Sequence, residues 1–229
     1  MTSVRFPGET AEYRAARDEL LKAESELRRR TEEVAAQRRE LPLGGAIPSD
    51  YVFDEGGDAL SDTETKRAVK MSELFSNGKT TLVIYSFMFG PKMERACPMC
   101  TSVIDGLQGN AVHVQQRVGL VIVAKSPIER LRDYARTRGW SHLRLLSSAA
   151  NDFNRDYHAE EPHGGQTSIL HVFSKREGKV HHTWSSELAF ADHPQGQNSR
   201  HVDPIWPLWN LLDCTPEGRG ESWYPKIQY

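Results

Sequence analysis

The chain has 229 residues, with 29 Lys and Arg against 31 Asp and Glu and a formal net charge of −2. Such a balance gives no global pull toward nucleic acid or an anionic membrane surface, and no apolar run reaches the ~20 residues that span a bilayer. Length and a 38% hydrophobic content fit one domain with a real core plus an extension. Residues 1–17 are charged, broken by Pro7 and without a signal-peptide core. With only three cysteines in the chain, a reducing, cytoplasmic setting is expected.

Residues 9–40 read as one long helix, rich in Glu, Arg and Ala with no internal Gly or Pro. Tyr13, Leu20, Leu27, Val34 and Leu41 recur every seven residues, and Leu21 and Ala23 widen the stripe slightly. A thin apolar seam on a charged helix is expected to serve as a homodimer contact, or else to lie on its own domain. The run Leu41-Pro42-Leu43-Gly44-Gly45 breaks the helix. A short strand at 51–53, an acidic turn-rich insert at 54–62, a helical turn at 71–75 and an Asn77-Gly78 turn follow. Residues 80–89 are apolar on both faces, as in the centre of a sheet.

After that strand comes Cys97-Pro98-Met99-Cys100. The helix beginning at Pro98 is expected to run to about residue 117, with Gly106 and Gly109 weakening it and offering a break midway. A thiol at a helix start meets unpaired N–H groups and the positive end of the helix dipole. Both favour thiolate, so Cys97 is the expected nucleophile and Cys100, one turn on, the resolving thiol. Pro98 suits the first helical position.

Another buried strand is expected at 118–124. A helix from Ser126-Pro127 ends at Gly139, and a short strand covers 143–146. A polar helical turn covers 151–158. Strands at 167–174 and 179–185 form a hairpin around Arg176-Glu177-Gly178. A helix at 205–214 and a short tail at 223–229 finish the chain. Strand, helix, strand, helix, hairpin, helix is the order of a thioredoxin fold. The βαβ half requires parallel strands, and the cysteines fall at the carboxyl end of its first strand, where open α/β sheets place their sites.

Leu74-Phe75, the run 82–91, Cys97–Cys100, Gly139-Trp140, the run 151–157 and the ending 211–219 (Leu-Leu-Asp-Cys-Thr-Pro-Glu-Gly-Arg) together resemble a bacterial thioredoxin-like family, domain of unknown function 899. The resemblance covers roughly residues 41–221. It implies a thioredoxin-like α/β fold, a mixed central sheet flanked by helices, over 42–229, with 1–41 as a helical arm. Two departures from working thioredoxins stand out. Ala96 precedes the first cysteine and Pro98-Met99 lies between the two. No proline stands immediately before the first hairpin strand, where Gly165-Gln166-Thr167-Ser168 is found instead, with Pro162 several residues upstream. Pro98, Met99, Gln166 and Thr167 are therefore the expected substrate contacts. Peroxiredoxins want Thr or Ser three residues before the reactive cysteine, and Glu94 stands there.

The leading expectation is a thiol–disulfide oxidoreductase needing no organic cofactor and acting on a thiol or disulfide substrate. One alternative is a copper protein, or copper-dependent enzyme, with Cys97, Cys100 and the loop residue His163 as ligands, since soft thiolates suit Cu(I). Another is a non-enzymatic homodimer whose redox state alters partner binding. Among nine histidines, His171 is placed to meet His181 or His182 across the hairpin. Trp140, Trp184, Trp206 and Trp209 read as packing residues, and Cys214 as a small buried one.

Overall fold

The structure, a computed structural model, describes residues 4–75, 78–192, 199–220 and 222–229. The chain divides into two compact units, Met1–Pro42 and Leu43–Tyr229. Of the expected Asn77-Gly78 turn, Asn77 lies outside the described residues.

The first unit is built on helix α1, Ala11–Glu40. Thr10 caps it, its hydroxyl accepting from the Tyr13 N–H at 3.1 Å. Opposite charges three and four residues apart line it, with Glu19 beside Lys22 and Arg29 between Glu26 and Glu33. Tyr13, Leu20 and Leu27 are exposed, so the apolar seam lies at the surface.

The second unit is an α/β sandwich of thioredoxin-like fold. Its strands are β1 (Val52–Gly56), β2 (Lys66–Lys70), β3 (Thr81–Phe87), β4 (Gly119–Ala124), β5 (Arg144–Ser147), β6 (Ile169–Arg176) and β7 (Lys179–Ser185). They form one sheet in the order β2-β1-β5-β4-β3-β6-β7. β3, β4 and β5 run parallel, and β6 returns antiparallel on β3. The β6–β7 turn places Glu177 and Gly178 at φ 51° and 79°, the left-handed pair that a two-residue hairpin requires.

The sheet is buried on both faces, which explains the continuous apolar runs. Tyr85 and Phe87 of β3 and Leu120, Ile122 and Ala124 of β4 pack into one core with Trp140. Leu82, Ile84, Val121 and Val123 point the other way, into a core with Phe53, Phe153 and Phe173. The first core is covered by α2 (Pro98–Val114), α3 (Ile128–Arg138) and α5 (Pro207–Leu212), while the short α4 (Phe153–Asp156) contributes Phe153 to the second. Each large side chain so removed from water contributes about 1.5–3 kcal/mol.

Three expectations need correction. Strand β1 runs on into the insert expected at 54–62, and residues 66–70, to which the sequence pattern assigns no element, form β2, the second strand of a hairpin with β1. Its sequence Lys66-Arg67-Ala68-Val69-Lys70 hides it, because an edge strand buries only Val69 and shows charge elsewhere. Helix α2 runs through Gly106 and Gly109 unbroken. A Cβ at Gly106 would lie 3.1 Å from Pro207, so that glycine lets α5 approach α2. The last helix is split: a 3₁₀ turn at Asp203–Ile205 ends before Pro207 opens α5, since proline cannot sit inside a helix but starts one readily.

Candidate functional site

Cys97 is the N-cap of α2 and Pro98 its first residue. The approach to Cys97 is fastened at several points. Its N–H donates to the Met88 carbonyl at 3.2 Å, and its carbonyl accepts from the Thr101 N–H at 3.0 Å. The Thr101 hydroxyl also donates to that carbonyl at 2.9 Å and lies 2.8 Å from the Tyr134 hydroxyl. Arg130, on α3, secures the preceding loop. Its guanidinium donates to the carbonyls of Gly90 at 3.2 Å and Glu94 at 3.1 Å and also to that of Met93, and it lies 4.2 Å from the centre of the Phe89 ring.

The two thiols differ in charge preference. The Cys100 S–H directed at its sulfur and the N–H groups of Cys100 and Met99 lower the Cys97 thiol to about 6, against the effect of burial. Burial drives the Cys100 thiol well up, and the neighbouring Cys97 adds to this, while the Tyr85 hydroxyl works in the opposite direction. A thiolate-forming sulfur thus sits one helical turn from a sulfur that holds its proton. Both are free thiols.

Cys97 and Cys100 both help line a cavity of about 960 Å³. Met99 lines it too, as does Ser168, but Gln166 and Thr167 are not among its lining residues. Gln166 turns toward Asn154 and the Gly164 and Gly165 carbonyls, and the Thr167 N–H donates to the Ala159 carbonyl at 3.0 Å. Nor is Pro98 among the lining residues. No peptide bond among the described residues is cis.

The expected third copper ligand is elsewhere. His163 is exposed and paired with Glu161 at 3.3 Å. Among the described residues, no three His, Cys, Asp or Glu side chains converge on a common point. The set Cys97, Cys100 and His163 is therefore not assembled, and two thiolates alone lack the imidazole on which the copper reading depends. Cys214 is another correction. It is exposed, its thiol bonded to the Asn210 carbonyl at 3.3 Å.

The family profile described as "Bacterial protein of unknown function (DUF899)" matches residues 4–229. The chain belongs to that family. No curated protein matches it significantly. Among solved structures it is similar to AhpC from Enterococcus faecalis, at 14% identity over 74% of this chain and 93% of that one, with a TM-score of 0.46. It is similar to the peroxidoxin BcpB from Mycobacterium tuberculosis, at 14% identity over 76% and 99%, TM-score 0.46. Reduced Prx3 from Vibrio vulnificus gives 12% identity over 73% and 98%, TM-score 0.49.

In this DUF899 protein the site also holds residues that sequence reasoning passed over. Tyr85 is fully buried with its hydroxyl between Cys100 and Ser168. Its signal was available, since a tyrosine within a buried apolar strand needs a partner for its hydroxyl. His201 lines the cavity, 3.1 Å from the Ser168 carbonyl, and burial lowers its basicity. It sits in no motif, and only the fold brings it there. Arg219, in the family's Thr215-Pro216-Glu217-Gly218-Arg219 ending, is held by Asp203 at 2.7 Å and Asp213 at 2.6 Å. It lies 5.4 Å from the centre of the Trp209 ring.

No helix among the described residues is long and apolar enough to cross a membrane.

Proposed function

We propose that the protein is a thiol–disulfide oxidoreductase in which Cys97 attacks and Cys100 resolves. The observation that carries this reading is the placement of Cys97 as the N-cap of α2 with Cys100 in its first turn, and the opposite displacement of the two thiols, Cys97 downward and Cys100 upward, supports it. The Cys97 thiolate attacks one sulfur of a substrate disulfide and expels the other as thiolate. Cys100 then attacks the Cys97 sulfur, closing the Cys97–Cys100 disulfide. The Cys100 proton passes to the departing substrate thiolate. The Tyr85 hydroxyl, bonded to Cys100, eases ionisation at that moment. An external dithiol returns the two electrons and resets the pair. A reducing, cytoplasmic setting belongs to the same proposal, because the resting pair then stays reduced.

The direct test uses a Cys214→Ser variant, leaving only the two α2 cysteines of the original three. Treatment with one equivalent of a small disulfide is expected to remove both alkylatable thiols by forming an intramolecular bridge. Two thiols still open to alkylation would refute the reading.

Homodimerisation through α1 is part of the proposal, supported by the exposed seam Tyr13, Leu20 and Leu27. Light scattering is expected to give a dimer for the full chain and a monomer for a chain starting at Leu43. A full-length monomer, or a dimer that survives truncation, contradicts the role.

A further inference from the structure

Cys97 and Cys100 are only 7% and 2% exposed. A dithiol acting on disulfides of folded proteins must meet a second backbone at its own surface. Here both cysteines belong instead to the wall of a cavity of about 960 Å³. That volume lies at the upper end of the ~300–1,000 Å³ that small-molecule sites occupy.

The same cavity is lined by Trp206, Trp209, Trp223 and Tyr224. Their rings form one connected cluster. Trp206 and Trp209 have centroids 5.3 Å apart, and Trp223 and Tyr224 stand perpendicular to Trp209 at 5.9 and 6.1 Å. The Trp206 indole N–H is fixed on the Ser102 hydroxyl at 3.0 Å. Trp223 and Tyr224 form the more accessible part, 42% and 49% exposed. Aromatic faces in this number favour a flat or apolar guest.

Charge does not select an ion. Arg219 is held between Asp203 and Asp213, and Arg200 lies 3.8 and 3.4 Å from the same two carboxylates. Among the described residues these two guanidinium groups are matched by two carboxylates, Asp203 lining the cavity and Asp213 outside its lining, so both arginines are compensated before any guest arrives.

We propose that this cavity is the substrate site and that it takes small, uncharged disulfides with an aromatic body, in preference to the disulfides of proteins. The inference rests on the dithiol reading above and adds the substrate class to it. The Cys97 thiolate attacks one sulfur of the aromatic disulfide and the S–S bond breaks, releasing one aryl thiolate. Cys100 attacks the Cys97 sulfur, the second aryl group leaves as thiolate, and the Cys100 proton goes to it. The substrate gains two electrons and the enzyme loses two. An external dithiol of the dithiothreitol class restores them.

The test follows oxidation of the reduced Cys214→Ser protein by stopped flow with three probes. These are 4,4′-dithiodipyridine (aromatic, neutral), hydroxyethyl disulfide (aliphatic, neutral) and insulin. Each rate is divided by the rate of the same disulfide with dithiothreitol, which removes intrinsic reactivity. The normalised aromatic rate is expected to exceed the aliphatic one by about tenfold, as one well-formed aromatic contact of ~1.4 kcal/mol gives, with the protein disulfide slowest. Trp223→Ala and Tyr224→Ala, at the exposed rim, are expected to lower the aromatic rate more than the aliphatic one, so that the ratio of the two normalised rates falls from about tenfold to about one. Equal normalised rates for all three probes, or rim variants without effect on a fast aromatic rate, overturn the substrate class and leave the dithiol standing. Failure of every probe to oxidise the pair overturns the dithiol reading and the substrate class together.

Discussion

A Cys100→Ser variant is expected to stop halfway and accumulate a stable mixed disulfide on Cys97. Attack requires only the Cys97 thiolate, and two of its stabilising donors, the N–H groups at positions 99 and 100, are backbone groups that the substitution keeps. A serine hydroxyl can replace the thiol as the third donor. Resolution is another matter, because no second sulfur then lies one turn away. Cys97→Ser is expected to form no adduct and to lose turnover by on the order of a thousandfold or more, as removal of a nucleophile does. Intact-mass measurement after exposure to a small disulfide separates the two variants, in a Cys214→Ser background. Equal adduct on both, or an adduct only on Cys97→Ser, reverses the assignment of attacking and resolving sulfurs.

Acid is expected to destabilise the fold through His171. Its ring is 1% exposed, within a cluster of Phe153, Tyr157, Phe173 and His182. Nδ1 lies 2.6 Å from the Ser185 hydroxyl, which is also 2.6 Å from Nε2 of His182. Burial, with His182 and His158 adding to it, lowers His171 from 6.5 to about 3. The unfolded chain therefore binds a proton between about pH 6.5 and pH 3 that the folded one refuses. Stability from this group is complete above the upper limit and falls as pH drops through the window. At 1.36 kcal/mol per pH unit the loss reaches about 3 kcal/mol by pH 4.5 and about 5 kcal/mol at its end. Those amounts compete with the ~5–15 kcal/mol that holds a whole domain. Urea unfolding at pH 7 and pH 4.5 checks it. The parent is expected to lose about 3 kcal/mol more than His171→Phe, which cannot take up the proton. The same acid loss in both proteins would remove His171 from the account.

The elements carrying the site were largely legible. Continuous apolar runs at 80–89 and 118–124 marked strands buried on two faces, and Ser126-Pro127 and Gly139 bracketed α3, whose terminal glycine sits at φ 69°. The placement of Cys97 followed from local chemistry alone, because a proline after it marks the first helical position. Strand β2 was not legible, since Lys66, Arg67 and Lys70 show no alternation when a single residue, Val69, is buried. The rest of the site was illegible for a different reason. Ser168, His201, Trp209 and Tyr224 line the same cavity as the cysteines from separate segments, and no local pattern encodes a meeting across about seventy residues of chain or more. The expected contacts Gln166 and Thr167 are not among the residues that line the cavity. In that segment the cavity is lined by their neighbour Ser168, while the Gln166 side chain turns back into its own loop.

The central claim is that Cys97 is a thiolate at neutral pH while Cys100 is not. The rate of iodoacetamide alkylation against pH, resolved by peptide mass for each cysteine of the Cys214→Ser protein, tests it most directly. Cys97 is expected to give a profile with its midpoint near 6, and the Cys100 thiol to stay unreactive well into the alkaline range. A Cys97 midpoint at the ~8.5 of an ordinary thiol, or a Cys100 that reacts faster at neutral pH, would contradict it.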